Sequence, residues 1–205
     1  MALDILVIVV SYLLGSVSFS VLFAKLLKGI DIRQHGSGNA GATNTLRVLG
    51  KGPAILVLLL DVLKGIGAVW LGTWAGGWDS WIAVSCGIAA IVGHNWPLYF
   101  HFRGGKGIAT TIGVMATLAL YPALLAGILA IGSIFITRYV SLGSLIFVAL
   151  TPVFLLFTDF AGPVLWTSII IAIFAFWRHR TNIVKIVQGR ENKIGSKAKG
   201  GNRVV

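Results

Sequence analysis

Three polar segments in an otherwise apolar chain carry side chains able to hold and convert an anion. The first is Gly36-Ser37-Gly38-Asn39-Ala40-Gly41-Ala42-Thr43-Asn44, followed by Arg47, and it interleaves three glycines with four neutral donors. Glycine lets the backbone turn tightly and bring its N–H groups close to an oxyanion, and the arginine fork matches the oxygens of a phosphate. The second runs from Gly93-His94-Asn95-Trp96-Pro97 to Gly104-Gly105-Lys106-Gly107, directly ahead of a helix-forming run that begins Ile108-Ala109-Thr110-Thr111. Free N–H groups at a helix start aim the positive end of its dipole at a ligand, and Lys106 adds a mobile cation. The third is Arg178-His179-Arg180-Thr181-Asn182, with Gly189-Arg190-Glu191 downstream. On a continuing helix His179 and Asn182 share a face, and an imidazole exchanges a proton near neutral pH. The plainer alternatives are glycine-rich connectors for the first two segments and a stop-transfer flank for the third.

What is missing narrows the chemistry. Lys106 is followed by glycine, and no glycine lies five residues before Gly105, so the second segment is not a phosphate-binding P-loop and nucleotide hydrolysis is not expected. No His-x-x-x-x-Asp pair occurs, which excludes the common histidine–aspartate acyltransferase signature. The 6 acidic residues are too few and scattered for a two-metal site. No metal and no cofactor are expected. Cys86, the only cysteine, lies in an apolar run and reads as a packing residue.

The elements that must position these segments are membrane helices. Of 205 residues, 57% are hydrophobic and only 11% charged, and the mean hydropathy is +0.90. A soluble domain carries roughly a quarter charged residues, so this surface must face lipid. The net charge of +11 belongs at the ends of apolar runs, where it orients a membrane protein and attracts anionic ligands, not nucleic acid. Apolar runs cover Ala2–Leu27, Pro53–Ala75, Trp81–Phe100, Ile108–Thr137, Val140–Thr158 and Pro163–Trp177. The fourth is too long for one crossing, and Tyr121-Pro122 offers a place to divide it into two short helices of about 20 Å each. Dividing it there gives about seven crossings. Every basic residue except Lys64 then falls on one side, taken as cytoplasmic, with Asp4, Asp79 and Asp159 on the other. The expected fold is an all-α polytopic helix bundle with its N-terminus outside and its C-terminus in the cytoplasm. It forms a single domain over residues 1–191, followed by a basic mobile tail over 192–205. The motif segments 30–52, 93–111 and 178–191 share the cytoplasmic face. Asp61 and Lys64, three apart within the second run, fall on one helix face and are expected to pair.

Taken in order, these motifs resemble the PlsY family of bacterial, acyl-phosphate-dependent glycerol-3-phosphate acyltransferases. The match rests on Gly36–Asn44 with Arg47, on Gly93-His94 with Pro97 and Gly104-Gly105-Lys106-Gly107-Ile108-Ala109-Thr110, and on His179-Arg180 with Asn182, Gly189 and Glu191. The resemblance implies transfer of a fatty acyl group from acyl phosphate to the 1-hydroxyl of glycerol 3-phosphate, giving lysophosphatidic acid and inorganic phosphate. It implies a multi-pass bacterial inner-membrane protein, acting as a monomer, with membrane lipid around it. By the same resemblance Ser37, Arg47, Lys106, His179 and Asn182 are catalytic. Gly36, Gly38, Asn39, Gly41, Thr43, Asn44, His94, Gly104, Gly105, Gly107 and Thr110 form the phosphate loops, and Asp61, Lys64 and Glu191 are structural. Either His179 or a substrate phosphate oxygen takes the proton of the attacking hydroxyl. The rival classes are a carrier for a small phosphorylated solute, which needs access from both sides of the membrane, and a non-catalytic membrane scaffold, which leaves the motifs unexplained.

Overall fold

The computed structural model describes residues 1–195, and among these the regular structure is entirely helical. The helices are α1 (Ala2–Ser16), α2 (Phe19–Lys28), α3 (Ala42–Leu49), α4 (Lys51–Gly76), α5 (Trp81–Asn95), α6 (Ile108–Leu118), α7 (Leu120–Thr137), α8 (Val140–Leu155), α9 (Gly162–Arg178) and α10 (Arg180–Val187). Four stretches among the described residues are long and apolar enough to cross a membrane: Ala2–Lys28, Lys51–Gly76, Trp81–Phe100 and Leu120–Thr137. Helices α9 and α10 meet at a bend of 62°, and α6 and α8 are shorter apolar helices.

Two departures from the sequence expectation have local causes. The first apolar run is not one continuous helix: Val17 and Ser18 are extended between α1 and α2. There the Val17 carbonyl, freed from the helix ladder, accepts a hydrogen bond from the Lys64 ammonium at 2.9 Å. The long fourth run does divide, but at Ala119 and unevenly, giving 11 residues in α6 and 18 in α7. Pro122 becomes the third residue of α7, where its missing N–H costs nothing because the first turn has no intrahelical acceptors.

Glycine sets the tightest helix contacts. A Cβ on Gly15 would lie 2.2 Å from the Ala90 carbonyl oxygen, one on Gly93 2.2 Å from that of Tyr12, and one on Gly113 2.1 Å from that of Val62. Small residues allow this backbone approach, which replaces the hydrophobic drive that lipid removes. Helices α1, α4, α5 and α6 thereby form one close-set group, while α7 packs chiefly on α8. The outer faces carry exposed Leu, Ile and Phe, and Trp74, Trp78 and Trp81 ring the α4–α5 turn as an interfacial belt. Because α1 and α4–α9 alternate in direction, Asp4, Asp79 and Asp159 fall at that end of the bundle. All three polar segments meet at the other. The start of the expected tail is tied there: Asn192 accepts a bond from Arg47, and Ile194 exchanges bonds with Arg138. Residues 196–205 of that tail lie outside the described residues.

Candidate active site

The first segment is shaped by Asn44, at the start of α3 and fully buried. Its amide nitrogen donates to the carbonyls of Ile32 (3.1 Å) and His35 (2.9 Å), and its Oδ1 accepts the Ser37 N–H at 2.8 Å. Gly36 has φ of +63°, and a Cβ there would stand 2.2 Å from Asn44 Oδ1. The turn thus requires both residues, and it leaves the Ser37 hydroxyl exposed to the cavity. Asn44, expected among the phosphate donors, has its side chain committed to the loop backbone. Arg33 locks the segment to the second one, pairing with Asp31 at 2.7 Å and donating to the Phe100 carbonyl at 2.8 Å. The hydrogen bonds from Arg33 hold the Asp31 carboxyl below the usual range.

The second segment needs its glycines for close approach. Gly104 N–H donates to the Asn95 carbonyl and Gly105 N–H to that of His94. A Cβ on Gly104 would lie 2.0 Å from the His94 oxygen. One on Gly105 would lie 2.2 Å from His94 Nε2 and 2.4 Å from the Ala40 oxygen. At Gly105 the first and second segments therefore touch. Gly107, with φ of +80°, turns the chain into α6.

The third segment closes the site. Lys106 Nζ donates to Asn182 Oδ1. Asn182 Nδ2 donates to Glu191 Oε1 at 2.8 Å, and the Ser141 hydroxyl donates to the same oxygen at 3.0 Å. Arg178 donates to the Gly105 carbonyl and stacks over the Trp96 ring, 5.2 Å from its centroid. His179 sits at the bend past the end of α9, buried, with Nδ1 2.8 Å from the Ala175 carbonyl. A carbonyl only accepts, so Nδ1 carries the hydrogen and Nε2 keeps its lone pair.

These groups border one cavity of about 1110 Å³. Its polar end is lined by Ser37, Arg47, Lys106, His179, Asn182 and Glu191, and the loop residues Gly38, Asn39, Gly41, Thr43, Asn44, His94, Gly104 and Gly107 complete the wall. Asp61 also borders it, whereas Gly36, Gly105, Thr110 and Lys64 stand behind. The other end is an apolar groove along α6, α7 and α8, with Ile112, Leu124, Ile128, Ile131 and Phe147 on its walls. Ser141, Lys185 and Asn192 line the cavity too, without having been singled out from the sequence, and Arg178, quoted there only as part of the third segment, joins them. Arg178 had a visible signal in the basic flank. Ser141 had none, being a lone serine at the head of an apolar run. No cluster of three His, Cys, Asp or Glu side chains able to hold a metal occurs among the described residues.

Crowding of cations in a half-buried site tunes the titration. Burial brings Lys106 down to about 8, and the nearby Arg178, Lys185 and Arg47 add to the drop while Glu191 opposes it. Burial also lowers Arg47, again opposed by Glu191. His179 falls to about 4, first through burial and then through the Lys106 charge, so it is neutral at pH 7.

Known proteins share this chain's sequence and its fold. The family model for glycerol-3-phosphate acyltransferase matches residues 5–189. The glycerol-3-phosphate acyltransferase of Halalkalibacterium halodurans is 59% identical over 202 residues, covering 96% of this chain and 98% of that protein. The protein of the same name from Shouchella clausii is 56% identical, covering 91% and 93%. Among solved structures, the glycerol 3-phosphate form of PlsY (YgiH), an integral membrane glycerol 3-phosphate acyltransferase, superposes with a TM-score of 0.89 at 39% identity. It covers 94% of this chain and 96% of that one. The cavity with its three glycine-bearing, cationic segments thus sits in a bundle that these proteins share, and the chain belongs to the PlsY family of integral membrane glycerol-3-phosphate acyltransferases.

Proposed function

We propose that the protein transfers a fatty acyl group from acyl phosphate to the 1-hydroxyl of glycerol 3-phosphate, releasing lysophosphatidic acid and inorganic phosphate in the first acylation of phospholipid synthesis. The observation that carries this reading is one continuous cavity, cationic and rich in N–H donors at one end and apolar along α6–α8 at the other. Such a shape suits two phosphates and one fatty chain at once. The relatives' solved forms, one with glycerol 3-phosphate and one with lysophosphatidic acid, agree with it.

An acyl phosphate is a mixed anhydride with a good leaving group, so the site has mainly to align and to neutralise. Arg47 and Lys106 hold phosphate oxygens, and the Ser37 hydroxyl, the Asn39 and Thr43 side chains and the first N–H groups of α6 supply neutral donors. Glu191 fixes Asn182 and through it Lys106. The 1-hydroxyl oxygen attacks the acyl carbonyl carbon, the carbon–oxygen bond to phosphate breaks, and phosphate leaves with the electron pair. The hydroxyl proton goes to a substrate phosphate oxygen, because His179, held near 4, is a weak acceptor.

In the membrane the chain makes seven crossings, with α1–α2 as the first and α6 and α8 as short ones. The N-terminus is outside and the site lies at the cytoplasmic face of the bacterial inner membrane. The positive-inside tendency supports that orientation, since the basic residues gather at the site end. Residues 1–191 act as one domain and as a monomer.

The test uses purified protein in detergent with acyl phosphate and glycerol 3-phosphate, following inorganic phosphate and lysophosphatidic acid together. Equal yields, lost in Lys106→Ala and absent with an acyl thioester donor, are expected. Folded protein giving no product overturns the reading. For the proton route, His179→Ala is expected to raise KM for glycerol 3-phosphate more than it lowers kcat, and a collapse of kcat at unchanged KM refutes it.

A further inference from the structure

In the cavity wall and just behind it lies a charged cluster to which the reaction above gives no step. Asp61, Lys64 and His94 are all buried, on α4 and α5. Around Lys64 Nζ stand three acceptors: Asp61 Oδ1 at 2.8 Å, the Val17 carbonyl at 2.9 Å and His94 Nδ1 at 3.0 Å. An ammonium has three N–H donors and no acceptor; Lys64 gives two of them to Val17 and His94 and holds Asp61 as an ion pair. A structural ion pair would need only the first contact. The second uses the carbonyl left free by the break between α1 and α2, and the third reaches the imidazole that packs on the lysine loop.

The third contact decides the state of His94. Lys64 Nζ at 3.0 Å can only donate, whereas the Asp61 oxygen, which would accept from Nδ1, stands farther off at 3.5 Å; the nearer contact makes Nδ1 the acceptor and puts the ring hydrogen on Nε2. Nε2 has no hydrogen-bond partner among the described residues, and it lies against Gly105, where a Cβ would stand 2.2 Å away. His94 also borders the cavity, and its own carbonyl holds the Gly105 N–H.

We propose that the Asp61–Lys64 pair is a positioning device that locks His94 in the Nε2–H form, so that the imidazole presents one fixed donor to the phosphate oxygens gathered at Gly104–Lys106. The proposal rests on the reading that the cavity binds a phosphate substrate. It makes Asp61 and Lys64 positioning residues that act through His94. Two charges are kept inside the bundle, where an apolar pair of similar size would serve stability as well or better, because the ring must not change tautomer.

Nitrogen-15 NMR of histidine-labelled protein in detergent reads the tautomer directly. Wild type is expected to show His94 with a bare Nδ1 and a protonated Nε2. The Nδ1–H form in wild type overturns the proposal, whatever any variant does. In Asp61→Leu/Lys64→Met both charges go together, so no unpaired ion is buried. The expected result is loss of the fixed tautomer and affinity for glycerol 3-phosphate, measured by calorimetry, weaker by roughly tenfold or more. The melting temperature should not fall, and kcat should change less than KM. In Asp61→Asn/Lys64→Met the asparagine amide can donate to Nδ1, which lies 3.5 Å from the Asp61 oxygen it replaces. That variant should recover the tautomer and most of the affinity. Wild-type binding in the leucine–methionine variant overturns the proposal. Intact glycerol 3-phosphate binding without acyl transfer would overturn only the acyltransferase reading.

Discussion

Gly127 offers a direct measure of the apolar groove. It lies on α7, borders the cavity, and a Cβ built there meets nothing within 4 Å. It stands ten residues before Thr137, the end of α7 beside the polar site, which is about 15 Å along the helix. An eight-carbon acyl chain, at no more than about 1.5 Å per bond, reaches under about 12 Å and stops short of it, whereas a sixteen-carbon chain passes it. Gly127→Leu puts side-chain atoms where roughly four methylenes of the longer chain would lie. At about 0.8 kcal/mol per methylene this removes about 3 kcal/mol of burial, or roughly a hundredfold in kcat/KM for the hexadecanoyl donor. The octanoyl donor should be unaffected. The substitution also replaces glycine in a helix interior with a better helix former, which favours the fold by up to about 1 kcal/mol, so a loss cannot be laid to unfolding. The assay compares initial rates with hexadecanoyl and octanoyl phosphate in the same detergent. Equal loss with both donors, or none with either, refutes the assignment of the groove to the acyl chain.

Three further outcomes follow from the site. With Lys106 titrating at about 8, its cation is present below that pH and lost above it. KM for glycerol 3-phosphate should therefore rise as pH climbs through about 8, while Lys106→Arg keeps it flat; a flat wild-type profile refutes this. Glu191 raises the Lys106 pKa, so Glu191→Gln should move that alkaline rise to lower pH, read from the same KM profile. Gly105→Ala forces a Cβ to 2.2 Å from His94 Nε2 and 2.4 Å from the Ala40 oxygen. Overpacking costs about 1–3 kcal/mol; the variant should melt lower and lose at least tenfold in kcat/KM, measured by thermal shift and turnover.

The site was legible in the sequence where chemistry and backbone geometry demand the same residue. Gly36, Gly104 and Gly105 are glycines because a Cβ has no room, and that need shows as a dense run of small residues in an apolar chain. Asn44 misleads for the opposite reason: its type suggests a ligand donor, yet the loop consumes its amide. The break at Val17–Ser18 left no mark, since neither residue is a helix breaker and the acceptor is used by Lys64, 47 positions away. Ser141 was equally silent, because its value comes from Glu191, 50 positions along the chain. The division of the long run was visible through Pro122, but it falls at Ala119, three residues earlier, so that the proline enters α7 within its first turn.

The closing of the site by its last described segment bears on how the protein is made. Cavity residues extend from Ser37 to Ile194, and Glu191, which steadies Asn182 and Lys106, is among the last of them to be made. Chains are synthesised from the N-terminus at about 5–20 residues per second. Throughout that time the first two loops can be in place while the clasp of Glu191 on Ser141 and Ile194 on Arg138 does not yet exist. A nascent chain therefore sits in the bilayer with its anion loops formed and its reaction centre unassembled, and becomes competent only once the segment through Ile194 has emerged. Chains cut short before Gly189 would insert as membrane bundles yet remain silent, so the arrival of Glu191 and Ile194 is what switches the site on.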